Sequence, residues 1–184
     1  MGIQGLIPYL KSIHREVHIR NYAGCTLAVD SYVWLHKGAF SCAYELCQGL
    51  DTDKYVNFCM RKVKLLQDNG IRPLMVFDGG PLPMKAGTER ERRRRRRENR
   101  RKGLELLRKG EKAKATDYFQ KSVDVTPRMA HKLIQALKQA NVDFVVAPYE
   151  ADAQLAYLER SGAVAGVITE DSDLLVFGCK KVGY

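Results

Sequence analysis

Residues 166–178 read Gly-Val-Ile-Thr-Glu-Asp-Ser-Asp-Leu-Leu-Val-Phe-Gly, with three carboxylates inside four positions and an apolar run on each side. Glu170, Asp171 and Asp173 repel one another, and loss of water around them strengthens that repulsion. Other acids follow short apolar runs elsewhere: Asp30 after 26–29, Asp78 after 72–77, and Glu150 with Asp152 after 142–148. Any one of these could simply cap a helix or favour its dipole. A series of four asks for more, because Ser, Thr or Asn would cap as well. An all-oxygen, histidine-free donor set selects a hard divalent cation, Mg²⁺ or Mn²⁺ rather than Zn²⁺. Two such ions can activate water and stabilise the leaving oxygen of a phosphodiester.

These acids meet only if the elements before them end at one edge. Residues 26–30, 72–78, 142–148 and 165–169 are short, apolar and rich in β-branched residues, the pattern of buried strands. Helical patterns separate them. Residues 53–69 place Val56, Cys59, Met60, Val63 and Leu66 on one face. Thr126 and Pro127 open a helix with Ala130, Leu133, Ile134 and Leu137 inward, and Asn141 ends it; residues 150–161 form another, stopped by Gly162. Strands alternating with helices predict an α/β fold, a mostly parallel central sheet covered by helices on both faces. The strand ends of such a sheet share a rim where ligands bind. Residues 170–173 then read as a metal-binding loop between two strands.

The chain carries a net charge of +10, and the charge is concentrated. Between Lys85 and Lys102 there are eleven Lys or Arg against three Glu, an excess of eight. A basic patch on one segment fits a docked polyanion, held through phosphate contacts in a salt-dependent way; a nuclear localisation signal is a compatible reading. Residues 86–122 have helical spacing, but Gly87, Gly103 and the like charges predict a poorly packed stretch that orders on a partner. Tyr32 and His36, four apart, could stack on a base and touch a phosphate; ordinary helix packing explains that spacing equally well, and Trp34 reads as core. At 45% hydrophobic the chain is globular, and no apolar run is long enough to span a membrane. Five cysteines without a C-x-x-C pair argue against structural zinc and against a disulfide framework.

Five stretches in order, "MGIQGL", "AVDSYVWLHKGA", "VFDGGPLPMK", "VAPYEADAQLAYL" and "ITEDSDLLVFGCKK", cover essentially the whole chain. Together they resemble the flap endonuclease/XPG family of structure-specific 5′ nucleases, most nearly its exonuclease branch. The resemblance implies a 5′-to-3′ double-stranded DNA exonuclease with 5′-flap endonuclease activity, acting on duplex ends, nicks and flaps in nuclear mismatch repair and recombination. By motif, Asp30, Asp78, Glu150, Asp152, Asp171 and Asp173 would hold two Mg²⁺ ions, for which Mn²⁺ can substitute. Lys85 and Arg92 match a catalytic pair in a helical arch that steers the scissile phosphate, working with Asp78 and Asp171. Gly2, Tyr32 and His36 match DNA-contacting positions, Gly2 as part of a buried N-terminus beside the active site. Arg93 and Arg96 are further candidate DNA contacts in the arch.

The resemblance also implies an organisation: an N-terminal nuclease region over 1–99, a helical connection over 100–126 and an internal nuclease region over 127–184, together one α/β domain of the PIN-like 5′-nuclease fold. The family continues to a further pair of aspartates and a DNA-binding helical hairpin, whereas no Asp or Glu follows Asp173 here. The expectation is therefore the first part of a nuclease core, with mismatch-repair partners recruited by a C-terminal tail outside this chain. The competing expectation is a catalytically incomplete DNA-binding fragment. A small endoribonuclease would share the acid rim but not the arch or the N-terminal motif.

Overall fold

A computed structural model describes residues 2, 3 and 5–183, which form two compact units. The described parts of 1–33, 60–80 and 134–184 make the first, and 34–59 with 81–133 make the second. The helices in chain order are α1 (Leu6–Tyr9), α2 (Ser31–Ser41), α3 (Ala43–Cys47), α4 (Lys54–Asp68), α5 (Ala86–Arg108), α6 (Lys112–Ser122), α7 (Pro127–Gln139), α8 (Ala151–Arg160) and α9 (Asp173–Val176).

The first unit is built on five strands: β1 (Thr26–Asp30), β2 (Arg72–Phe77), β3 (Phe144–Val146), β4 (Val167–Ile168) and β5 (Val182–Gly183). They pair in parallel in the order β3-β2-β1-β4-β5. β1 is central, with Asp30 opposite Val76 of β2 and Val29 opposite Ile168 of β4. Successive residues Leu27, Ala28 and Val29 are all buried, so both faces of the strand are covered, as its unbroken apolar run predicts. Ala28, Val76 and Val167 pack with Ala151, Leu155 and Ala156 of α8 and with Leu174 of α9. Leu155 is fully buried there, and Leu155→Ala would cost roughly 2–5 kcal/mol. The predicted helix signals are realised. Thr126 Oγ1 accepts from the Met129 N–H at 3.3 Å before α7, and Asn141 (φ 52°) follows its end.

The EDSD loop is not flanked by strands on both sides. Residues 173–176 form the short helix α9, not a strand. Of the apolar run only Leu174 is buried, while Val176 and Phe177 are exposed. One inward residue per turn suits a helix at the surface and could not fill a strand covered on both faces.

In the second unit, residues 86–122 form two helices rather than one poorly packed stretch, with Gly110 (φ 80°) in the turn between α5 and α6. Ala43 and Cys47 of α3 and Ala115 and Phe119 of α6 make a core against which Leu104, Leu106 and Leu107 of α5 pack. Gly103 is what lets the helices come so close: a β-carbon there would lie 2.6 Å from the Phe119 ring. The like charges of α5 are offset locally. Arg94 and Arg95 pair with Glu91, Lys102 with Glu98, and Arg101 with Glu105 at helical spacings. Among the described residues no helix is long and apolar enough to cross a membrane.

Candidate active site

Parallel pairing brings the predicted acids to one rim of the first unit. Asp30 ends β1, Asp78 follows β2, Glu150 and Asp152 open α8 beyond β3, and Asp171 and Asp173 follow β4. Asp30 also does the capping job that its position suggests. Its Oδ1 accepts from the Tyr32 and Val33 N–H groups at 3.1 and 3.3 Å, at the start of α2. Its Oδ2 accepts from Thr169 Oγ1 at 2.9 Å. Thr169 Oγ1 in turn accepts from the Asp171 N–H at 3.1 Å, and Asp171 Oδ1 accepts from the Asp173 N–H at 3.0 Å. One chain of hydrogen bonds therefore ties β1 to the acidic loop.

The acids also perturb one another. Burial pushes the Asp30 carboxyl up to about 6; hydrogen bonds from Thr169, Val33 and Tyr32 oppose the rise, and the charge of Asp78 adds to it. Burial pushes Asp152 up to about 7, reinforced by the charges of Asp30, Asp171, Asp78 and Glu150. Asp152 thus senses four other carboxylates. Asp173 Oδ1 is buried without a hydrogen-bond partner, the kind of oxygen a cation would satisfy. The acids are gathered but not closed around a point: among the described residues, no group of three or more acid, His or Cys side chains converges tightly enough to hold an ion. Like charges resist that last approach. In donor type, mutual field and the orphaned oxygen, the set fits a hard divalent cation.

Gly2 lies beside this loop. A β-carbon on it would sit 2.3 Å from Ser172 Oγ and 2.9 Å from Asp171 Oδ1, and the Ile3 N–H donates to Ser172 Oγ at 2.7 Å. Residues 2 and 3 lie beside the acidic loop, but Gly2 is exposed rather than part of the buried N-terminus that the resemblance implies. Of the apolar residues after it, Ile3 and Tyr9 are also exposed, while Leu6, Ile7 and Leu10 are half-buried.

Tyr32 is half-buried in the first turn of α2. In the second unit, His36 is half-buried and burial lowers its pKa, so it is neutral at physiological pH. Lys85 immediately precedes α5 and Arg92 is two turns on, which puts both on one helix face. Both are exposed. Arg92 and Arg93 form no ion pair among the described residues. Arg96 does: its Nη1 donates to Glu89 Oε1 at 3.0 Å and to Asp124 Oδ2 at 2.9 Å. A phosphate reaching Arg96 must compete with both carboxylates.

Sequence reasoning misses three contributors. Thr169 and Ser172 read only as neighbours of the acids. A strand-ending Thr two residues before an Asp is an available signal for a local hydroxyl turn. Gly79, directly after Asp78, has a weaker signal, the Gly-Gly pair.

The geometry defines a class: a parallel α/β sheet whose strand ends gather six carboxylates at one rim. The XPG N-terminal domain matches residues 1–99, and the XPG I-region matches residues 141–183. Exonuclease 1 of Arabidopsis thaliana is 54% identical over 182 residues, 99% of this chain and 25% of its own length. Exodeoxyribonuclease 1 of Schizosaccharomyces pombe is 50% identical over 182 residues, 99% of this chain and 32% of its own length. The chain thus spans about a quarter to a third of these relatives. The catalytic core of Rad2 in complex with DNA substrate shares the fold, with a TM-score of 0.70 at 24% identity over 98% of this chain and 48% of that one. Flap endonuclease-1 from Methanococcus jannaschii superposes with a TM-score of 0.61 at 25% identity over 91% of this chain and 55% of its own. The same fold recurs, at 21% identity and a TM-score of 0.57 over 98% of this chain and 36% of its own, in the Holliday junction-resolving enzyme GEN1 in complex with product DNA, Mg²⁺ and Mn²⁺. The fold is the PIN-like 5′-nuclease fold, and the chain belongs to the XPG family.

Proposed function

We propose that this chain is the N-terminal part of the catalytic core of a 5′-to-3′ double-stranded DNA exonuclease with 5′-flap endonuclease activity. The observation that carries the reading is the rim itself: parallel pairing gathers Asp30, Asp78, Glu150, Asp152, Asp171 and Asp173 at one edge of the sheet, with Asp173 Oδ1 buried and without a hydrogen-bond partner. Asp30, Asp78, Glu150, Asp152, Asp171 and Asp173 would hold two Mg²⁺ ions, with Mn²⁺ as a substitute. Bound there, such ions neutralise the rim and supply Lewis-acid activation of water and of the leaving oxygen.

The chain's own groups do the rest. Lys85 and Arg92 bind and orient the scissile phosphate, Arg92 through its planar fork of donors. Arg93 holds a neighbouring phosphate, and Arg96 does so only by exchanging Glu89 and Asp124 for it. Tyr32 offers a ring face to a base, and His36, neutral, offers hydrogen bonds rather than charge. Gly2 keeps the N-terminal segment close to Asp171. Duplex ends, nicks and 5′ flaps are the substrates, mismatch repair and recombination in the nucleus the setting, and mismatch-repair proteins the partners of the longer protein. The test is cleavage of a 5′-labelled recessed or flapped duplex by the purified chain, with and without Mg²⁺, beside Asp171→Ala. Metal-dependent cutting that the variant loses supports the reading. DNA binding without cutting would leave a catalytically incomplete binding fragment, and preference for RNA would point to an endoribonuclease.

A further inference from the structure

The rim contains a feature that the metal ligands alone do not explain. Beyond the paired strands β2 and β3, where Phe77 lies opposite Val146, the two chains stay joined by backbone. The Ala147 N–H donates to the Phe77 carbonyl at 2.8 Å, the Gly79 N–H to the Tyr149 carbonyl at 2.6 Å, and the Gly80 N–H to the Pro148 carbonyl at 3.0 Å. At the end of this ladder the Ala151 N–H donates to Asp78 Oδ1 at 2.7 Å. The segment bearing Asp78 is thus clamped to the segment bearing Glu150 and Asp152, at closer quarters than side chains permit. A β-carbon at Gly79 would lie 1.8 Å from the Ala147 carbonyl oxygen and 2.8 and 2.9 Å from the Pro148 carbonyl oxygen and carbon. All three are backbone atoms, so no side-chain rotation could relieve the clash. At Gly80 the nearest atom would be the Pro148 carbonyl oxygen at 3.5 Å, an ordinary contact. Neither glycine has a left-handed φ. The requirement at 79 is one of space, and it is local to that residue.

We infer that Gly79 is a positioning residue of the candidate metal centre: its missing side chain lets the 77–80 and 147–151 backbones clamp together and so fixes Asp78 relative to Glu150 and Asp152. The inference rests on the metal-dependent reading of the rim and adds a residue that touches neither ion nor substrate. A methyl at 79 must push the two segments apart, and the Asp78 carboxylate moves with them. Outer groups that orient ligands typically change metal affinity by about 10–100-fold.

The experiment compares the wild-type chain with Gly79→Ala, Gly80→Ala and Ala151→Pro, using Mn²⁺ binding by electron paramagnetic resonance and melting in EDTA as readouts beside cleavage. Ala151 is the first residue of α8, and Glu150 before it is extended (φ −73°, ψ 143°), so the backbone accepts proline there, while the ring replaces the N–H that donates to Asp78 Oδ1 and displaces that carboxylate. The expected result is Mn²⁺ affinity lowered at least tenfold in Gly79→Ala and Ala151→Pro and near wild type in Gly80→Ala. With DNA, kcat at limiting Mg²⁺ falls and recovers as Mg²⁺ or Mn²⁺ is raised, while KM for DNA stays constant. Should Gly79→Ala fail to fold, Ala151→Pro tests whether the clamped placement of Asp78 sets Mn²⁺ affinity, and wild-type affinity in that variant overturns the positioning role. Wild-type Mn²⁺ affinity in the folded variants overturns the positioning role and leaves the metal reading intact. A wild-type chain that binds no Mn²⁺ overturns both.

Discussion

Thr169 Oγ1 donates a 2.9 Å hydrogen bond to Asp30 Oδ2 across the β1–β4 pair, with both residues nearly fully buried. That hydroxyl opposes the burial that raises the Asp30 pKa, and it links the central strand to the loop carrying Asp171. Thr169→Val keeps the shape and removes the donor. The buried oxygen it abandons should cost roughly 1–3 kcal/mol of stability. The Asp30 pKa should rise further and Mg²⁺ affinity should fall, because a ligand must give up its proton to bind. Carbon-detected NMR titration of the Asp carboxyls checks the first point and calorimetry the second, with Thr169→Ser restoring both. A Thr169→Val protein with unchanged Asp30 titration would remove this hydroxyl from the account of the site.

The raised carboxyls also set a pH dependence. An acid whose folded pKa lies above its unfolded value stabilises the fold fully below the unfolded value and loses that contribution as pH rises through the folded one. For Asp30 the window runs from the ordinary 3.8 to about 6, and for Asp152 from 3.8 to about 7. The Asp30 share is about 3 kcal/mol. His36, with its lowered pKa, works in the opposite direction on approach to 6.5, so the comparison must be with a variant. In EDTA, Asp152→Asn should gain melting temperature over wild type between pH 5 and pH 7.5, by a margin that grows with pH. Mg²⁺ at neutral pH should stabilise wild type and not the variant. Equal pH profiles for the two proteins in EDTA would mean that Asp152 is not held in this repulsive field.

Two glycines of α5, alike in sequence, should respond with opposite signs. Gly103 faces Phe119, where a β-carbon would come within 2.6 Å of the ring, and Gly103→Ala should destabilise the hairpin by about 1–3 kcal/mol through overpacking. At Gly87 nothing lies within 4 Å, so Gly87→Ala should stabilise by roughly 0.5–1 kcal/mol through helix propensity alone. Urea denaturation of both variants measures this. Destabilisation by both would place a second close approach at residue 87.

The contrast marks what could be read from the chain alone. Propensity treats Gly87 and Gly103 identically, because crowding by a residue sixteen positions away leaves no local trace. Strands were legible for the same reason that the sheet is stable: burial on both faces forces unbroken apolar runs at 27–29 and 73–77. The shared rim then followed from parallel pairing, and with it the grouping of Asp30, Asp78, Asp152 and Asp171. Residues 174–177 misled because four apolar side chains in a row carry no period, and only exposure of Val176 and Phe177 separates helix from strand. Thr169, Ser172 and Gly79 act through hydrogen bonds and close approaches between distant segments, which spacing along the chain does not encode.

Within the arginine run, equal residues should contribute unequally to DNA binding. Removing a side chain that neutralises one phosphate lowers the slope of log affinity against log salt by about one. Arg92 and Arg93 are exposed and form no ion pair among the described residues, so Arg92→Ala and Arg93→Ala should each flatten the slope by about that amount. Arg96 is already held by Glu89 and Asp124, with its side chain 23% exposed. Arg96→Ala should therefore change the slope much less and lower the melting temperature instead. Asp124→Asn, which weakens that hold, should steepen the slope relative to wild type. Fluorescence anisotropy with a flapped duplex between low and moderate salt, without metal so that nothing is cut, separates the cases. A slope flattened in Arg96→Ala as fully as in Arg92→Ala would show that substrate phosphate displaces Glu89 and Asp124 from Arg96, making Arg96 itself a DNA-binding group.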